Sequence, residues 1–234
     1  MRVSYGAGAT VTIDPTDYLG WAILRTGNYE PASLGLALRL MQATPGLFVD
    51  VGANFGWFSC AVAGIAGSTV IAVEADCANC AALRRNLTGF ANAVVVNAAA
   101  GSRFDTLPIR RRAFTNSGTV AIEPADAASC RDWVAAVPLS DLLHRVGASP
   151  ERPILVKIDV EGFEPQVLAG LDFAGPSRPR NIIMEYEPTL SAWESLVALD
   201  AFFAERGYDV LDVHGRPVAA AESIPEANIW AREH

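Results

Sequence analysis

The apolar positions of this chain fall into short, nearly continuous runs separated by stretches with helical spacing. Leu47–Val51, Thr69–Glu74, Val94–Asn97, Ile154–Asp159 and Asn181–Glu187 have the length and apolarity of strands covered on both faces. Between them, Leu34, Leu38 and Met41 share one face of a helix over Ala32–Ala43. A nearly all-apolar helix is predicted from Phe55 to about Ile65, and Asn79–Thr88 predicts another with Arg84, Arg85 and Asn86 outward and Gly89 at its end. A short strand is predicted at Val11–Ile13, and short helices at Tyr18–Thr26 and Leu139–Val146. Ser191 and Glu194 form a capping box ahead of Leu196, Leu199, Phe202 and Phe203, which give one helix its buried side before Gly207. Tyr208–Val213 and Asn228–Ala231 are the final strands. Such alternation predicts an α/β fold with a doubly wound, mostly parallel sheet. It divides the chain into an N-terminal extension, residues 1–45, whose short strand and helices cap the site, and a main domain, residues 46–234. Residues 101–138 alternate only briefly, at Thr106–Ile109, Thr119–Ile122 and Trp133–Val137, which suggests short strands or a loop-rich insertion, with a turn at Phe114–Gly118.

Composition narrows the class. A chain of 234 residues is one domain with extensions, and no apolar run is long enough to span a membrane. The opening stretch has no apolar signal core, so a cytoplasmic protein is expected. A net charge of −8 disfavours a nucleic-acid partner, and the basic run Arg110–Arg112 fits a solvated strand edge or loop. Cys77 and Cys80 have the spacing of half a zinc site. With no second pair and no nearby histidine, they and Cys60 and Cys130 read as reduced thiols.

The chemistry starts at Leu47–Gly56. Asp50 is a carboxylate inside an apolar strand, costly to bury without a purpose. Gly52 permits a tight turn, Asn54 tolerates a left-handed backbone, and Gly56 lets the helix beginning near Phe55 approach the sheet. The free N–H groups of that helix face the turn, as in nucleotide-type loops. A dinucleotide loop requires glycine where Asn54 and Trp57 stand. Glu74, 22 residues after Gly52, ends the next strand with Ala75 beside it, and its paired acceptors suit two ribose hydroxyls. Asn97, followed by Ala98, ends the third strand where it can meet a purine edge or simply finish the strand. Further on, Lys157 and Asp159 share a strand face with Glu161 just beyond, which predicts a lysine–carboxylate cluster at the ligand end of the sheet. Glu185 and Tyr186 close the following strand, and the turn Thr26–Pro31 offers Tyr29 and Glu30 as a cap over the pocket.

The motifs VDVGANFG, VIAVEA and LVKIDVEGFEPQVLAG together resemble the FkbM family of S-adenosylmethionine (SAM)-dependent methyltransferases, from about Gly27 to Glu187. The resemblance implies a Rossmann-like class I methyltransferase fold of seven strands with an antiparallel last strand. It implies SAM as cofactor, S-adenosylhomocysteine (SAH) as product, and O-methylation of a hydroxyl on a sugar, polyketide or other secondary metabolite. Two departures stand out: the displaced aspartate of Leu139-Ser140-Asp141, and a segment 101–138 with little of the family pattern. Asp50, Gly52, Asn54, Phe55, Gly56, Glu74, Ala75, Asn97, Ala98 and Asp159 are then the expected cofactor contacts. The methionine carboxylate of SAM is expected at the turn from Asn54 to Gly56, and its ammonium near Asp50 or the backbone after it. Tyr29, Glu30, Lys157 and Tyr186 are expected at the acceptor. Asp159 is the first choice for the base that takes the acceptor proton, then Glu185, with Glu161 and His214 as alternatives. Magnesium between Asp159 and Glu185 is a further option, without an evident third ligand. The expected partner is a small-molecule acceptor, with neither nucleic acid nor membrane, and the oligomeric state stays open. N-methylation of an amine or peptide amide, a catalytically silent SAM-binding protein and an NAD-dependent oxidoreductase are the competing readings. Asn54 and Trp57 count against the last.

Overall fold

A computed structural model describes residues 1–5, 9–111, 118, 120–122, 130, 132–147, 151–186, 193, 195–218 and 227–234. The chain opens with an antiparallel hairpin, β1 (Arg2–Tyr5) and β2 (Ala9–Thr12). Asp17 caps α1 (Tyr18–Thr26) and Gly27 ends it in the left-handed conformation, while Pro31 starts α2 (Pro31–Ala43). Alternating units follow: β3 (Leu47–Val51), α3 (Trp57–Ala63), β4 (Thr69–Glu74), α4 (Cys77–Leu87) and β5 (Ala93–Asn97). Four strands come next, β6 (Ala99–Gly101), β7 (Asp105–Arg111), β8 (Val120–Ile122) and β9 (Asp132–Pro138). The remainder is α5 (Leu139–Arg145), β10 (Ile154–Ile158), α6 (Glu164–Ala169), β11 (Asn181–Glu185), α7 (Leu196–Ala204), β12 (Tyr208–Asp212) and β13 (Asn228–Glu233).

The main sheet has seven strands in the order β12-β13-β11-β10-β3-β4-β5. All its pairings are parallel except those of β13, which inserts antiparallel between β11 and β12. Central β3 is buried at every position because β10 and β4 flank it and helices cover both faces. The expected class I methyltransferase architecture is the one observed.

Three details differ from the sequence-based expectation. The helix after the glycine turn starts at Trp57, not Phe55, because Gly56 takes φ 95° and serves as its N-cap. Among the described residues of the 101–138 segment, the short strands suggested by the sequence are present as β7, β8 and β9, and with β6 they form a second, four-stranded sheet around Ala99, Ile109, Val134 and Ala136, a sheet the sequence did not foretell. Two of the four residues of that small core, Ala99 and Ala136, are alanines. The predicted capping box lies at Ser191 and Glu194, outside the described residues, as does most of the turn at 114–118. Helix α7 is instead capped by the Ser195 hydroxyl, which accepts from the Ala198 N–H at 3.2 Å.

The N-terminal residues are structural as well as peripheral. Ile23, Leu34, Leu36, Ala37 and Met41 pack into one core cluster with Phe48, Val70 and Leu155 of the sheet. Among the described residues, no helix is long and apolar enough to cross a membrane.

Candidate active site

The strand ends of β3, β4, β10 and β11 open into one cleft of about 990 Å³. At its floor Asp50 is 1% exposed. Its Oδ2 accepts from the Ser59 hydroxyl at 2.6 Å, and Oδ1, which is buried, has no hydrogen-bond partner. Burial pushes the Asp50 carboxyl upward, against the opposing pull of Lys157 and Ser59. Gly52 sits at φ 80°, and a Cβ there would stand 1.7 Å from the carbonyl oxygen of Asp159, so two ligand-side loops meet at a point only glycine fits. Asn54 is left-handed at φ 50°, and its N–H donates to Glu74 Oε2 at 2.8 Å. The other carboxylate oxygen of Glu74 accepts from the Asp76 N–H, also at 2.8 Å. Burial pushes Glu74 up to about 7, although both N–H bonds favour its ionised form.

Most predicted cofactor residues line this cleft: Asp50, Gly52, Asn54, Phe55, Glu74, Ala75, Ala98 and Asp159. Two do not. Gly56 lies behind the turn against Leu83, and it lets α3 approach the neighbouring helix rather than a ligand. Asn97 donates its amide to the carbonyls of Glu74 at 2.8 Å and Ala75 at 3.1 Å, so it ties two strand ends together instead of facing the cleft. The wall there is made by Ala98, Ala99 and Ala100 with Asn79. The alanine run was the available signal, since small side chains leave room for a flat ring.

The other end of the cleft is a charge cluster built across strands. Parallel register sets Lys157 directly beside Asp50, and the Lys157 ammonium bonds Asp159 Oδ2 at 2.9 Å. Lys157 is 3% exposed and its ammonium lies 4.6 Å from the centre of the Phe58 ring. Burial, the largest influence, pulls its pKa down, but Asp159, Glu30 and Asp50 together hold it above the ordinary lysine value. Just beyond, Glu161 is left-handed at φ 55° and Gly162 at φ 99°. Buried Glu164 holds this loop, one oxygen accepting from the N–H groups of Val160 and Gly162, both at 3.2 Å. Sequence reasoning missed that role, although an acid two residues past Gly162 was its signal. Glu185 enters from β11, and burial first, then the like charges of Asp159 and Glu161, push its carboxyl upward.

Tyr29 lines the same end and Glu30 stands beside it, hydrogen-bonded to the Tyr29 hydroxyl. Two expected site residues lie elsewhere. Tyr186 is buried in the core on the other side of the sheet, among Met184 and Leu199. His214 is exposed beyond edge strand β12, with β13 and β11 between it and β10, and its N–H bonds Asp212 at 2.8 Å. It is a turn residue, so the expectation of a histidine base is corrected. Among the described residues, no group of three or more His, Cys, Asp or Glu side chains is placed to hold a metal ion, and all four cysteines are free. The ion pair with Lys157 neutralises Asp159.

Residues 50–210 match the methyltransferase FkbM domain. The chain belongs to the FkbM methyltransferase family. This FkbM protein also resembles several solved structures in shape. A TehB-like SAM-dependent methyltransferase from Corynebacterium glutamicum is 12% identical, with 92% of each chain covered and a TM-score of 0.49. A SAM-dependent methyltransferase from Aquifex aeolicus is 11% identical, covering 94% of this chain and 97% of that one, with a TM-score of 0.46. TYW2 from M. jannaschii, solved in complex with AdoMet, is 10% identical over 97% of this chain and 83% of its own, again at 0.46. No curated relative matches by sequence. Family membership makes this a SAM-dependent methyltransferase, and the site fits that cofactor. The unpartnered Oδ1 of Asp50 is an acceptor for an ammonium, Glu74 offers acceptors to ribose hydroxyls, and Ala75, Ala98 and Ala99 leave a smooth wall for a base.

Proposed function

We propose that this FkbM enzyme methylates a hydroxyl group of a small-molecule acceptor, with Glu185 as the base. Bound SAM supplies an electrophilic methyl group on a positively charged sulfur. The protein must then align the acceptor, exclude water and give the hydroxyl proton a destination.

The observation that carries this reading is the environment of Glu185. It lines the cleft with Asp159 and Glu161, and burial and those like charges push its pKa upward. Pushed up to about 9, this carboxyl is a stronger base than one in water once its own proton has left. Asp159 is the weaker candidate because its Oδ2 is committed to the Lys157 ammonium. In this arrangement Asp159 and Lys157 fix the cluster, and Glu185 accepts the proton. The net charge of −8 and the carboxylates at the cleft favour a small molecule over a nucleic acid, and the free thiols suit a reducing cytoplasm.

The test is transfer of label from methyl-labelled SAM into a pool of hydroxylated metabolites, with product analysis by mass spectrometry. Glu185→Gln is expected to lower turnover by about two to four powers of ten while SAH binding is retained. Undiminished turnover in that variant would remove Glu185 from the mechanism, and a methylated amine as product would replace O- by N-methylation.

A further inference from the structure

The motif that methyl transfer leaves unused is Cys77-Ala78-Asn79-Cys80, which forms the first turn of α4. Cys77 is the first helical residue and is exposed, while Cys80 is 0% exposed. Residues three apart on a helix share a face, and a helical side chain leans back over the turn before it, so the Cys80 thiol is directed toward Cys77. The other two cysteines have no such partner within a turn: Cys60 is packed in the core cluster, and Cys130 lies outside every helix and strand.

The same turn holds the cofactor end of the cleft in place. Asp76, its N-cap, accepts from the N–H groups of Ala78 and Asn79, both at 2.9 Å, and pairs with Arg111 of β7 at 2.8 Å. The Asp76 N–H donates to Glu74 at 2.8 Å, and Asn79, between the two cysteines, lines the cleft. A change in the shape of this turn therefore moves the groups that meet the cofactor.

A regular helix brings the two thiols near bonding distance and stops short of it. One turn separates the Cα atoms by about 5 Å, which a disulfide can span. The Cβ atoms of such a pair stand about 5–6 Å apart, whereas a disulfide needs about 3.5–4.5 Å. Closing the bond thus tightens the turn toward 3₁₀ geometry, in which side chains three apart eclipse one another. That tightening pulls Ala78 and Asn79 off the Asp76 cap.

We propose that Cys77 and Cys80 are a modification site for low-molecular-weight disulfides of the glutathione class, and that the bond formed between them weakens cofactor binding. This goes beyond the methyl-transfer chemistry and does not depend on the acceptor. The exposed Cys77 thiolate attacks one sulfur of the small disulfide, breaks its S–S bond and expels one small thiol, leaving a mixed disulfide. The Cys80 sulfur, having lost its proton to water, then attacks Cys77 Sγ and expels the second small thiol. The enzyme gives up two electrons and two protons, and the reagent ends as two thiols. Strain in the tightened turn makes the new bond easy to reduce, so the change is reversible.

The test equilibrates the full-length reduced enzyme with anaerobic glutathione buffers of rising disulfide content, alkylates the remaining thiols and maps them by fragmentation mass spectrometry. SAH affinity is measured by calorimetry on each sample. Cys77 and Cys80 are expected to lose alkylation together, with SAH affinity falling about tenfold, the value of one hydrogen bond to a charged group, and returning with dithiothreitol. Cys77→Ser, an exposed position outside the cleft, should bind SAH as the reduced wild type does and show no response to the buffers. Cys80→Ser should stop at glutathione on Cys77, and if that buried substitution does not fold, Cys77→Ser alone carries the test. Glutathione held on wild-type Cys77 with Cys80 still free, no oxidation at any buffer ratio, or a closed disulfide that leaves SAH affinity unchanged overturns the proposal.

Discussion

At the scale of single residues, the site depends on carboxylates kept where water is scarce. Glu74 shows the consequence most directly. Its pKa in the fold, about 7, lies above the ordinary 4.5, so between these values the folded chain holds a proton that the unfolded chain releases. Stability of the ligand-free enzyme should therefore fall as pH rises through that window, by at most about 3 kcal/mol from this group. Denaturant unfolding at pH 5 and pH 8 checks this, and Glu74→Gln should flatten the slope. Affinity for SAH should move the other way, rising through pH 7 as the acceptor ionises, with Glu74→Gln losing that dependence in calorimetry. Gly52→Ala should prevent the native turn, because the added carbon meets backbone at 1.7 Å; circular dichroism and a missing SAH signal would report it. Asp50 and Glu74 were legible because burying an acid at the end of an apolar run costs too much unless a ligand or a donor makes use of it. Asn97 and His214 were not. A polar residue after a strand reads alike whether it faces a ligand, a neighbouring carbonyl or solvent, and only the three-dimensional position separates these.

Among the elements, β10 and the loop after it do most to shape the charged end of the cleft. Lys157 is 3% exposed and lies among Asp50, Asp159 and Glu30, so Lys157→Met should strand buried acids without a counter-charge. We expect a loss of about 3–5 kcal/mol in unfolding free energy, the usual result of removing one partner of a buried ion pair. A measured loss under about 1 kcal/mol would mean that water or protonation compensates. The cap of α7 is a smaller term: Ser195→Ala should cost about 1 kcal/mol in the same experiment. Strands and helices with strong apolar periodicity were read from the sequence within a residue or two. The second sheet was not: the short strands at β7, β8 and β9 alternated visibly, but nothing local told that they pair with one another and with β6. Pairing with β7 across the intervening residues supplies what the local sequence lacks.

For the molecule as a whole, the N-terminal segment is bound to everything around it. Its apolar residues share a core with Phe48 and Leu155, the Met1 amine bonds the Ile13 carbonyl at 2.7 Å, and Asn86 of α4 bonds both the N–H and the carbonyl of Thr12. Deleting residues 1–45 should therefore leave an insoluble or unfolded chain, while the intact one unfolds in a single transition by calorimetry and by fluorescence. A soluble, SAH-binding fragment 46–234 would show that the segment is dispensable. Its place beside the cleft also bears on kinetics. Asp50 lies at the closed bottom, while partly exposed Glu185 and the Tyr29 wall stand where the cleft meets solvent. A molecule seated against that wall blocks the way in and out for whatever lies below. Turnover should then follow a compulsory order, cofactor entering first and its spent form leaving last, so that SAH competes with SAM but inhibits noncompetitively toward the acceptor. The shape of the entrance thus makes the enzyme sensitive to the cell's ratio of SAM to SAH, and a rising level of spent cofactor acts as its brake.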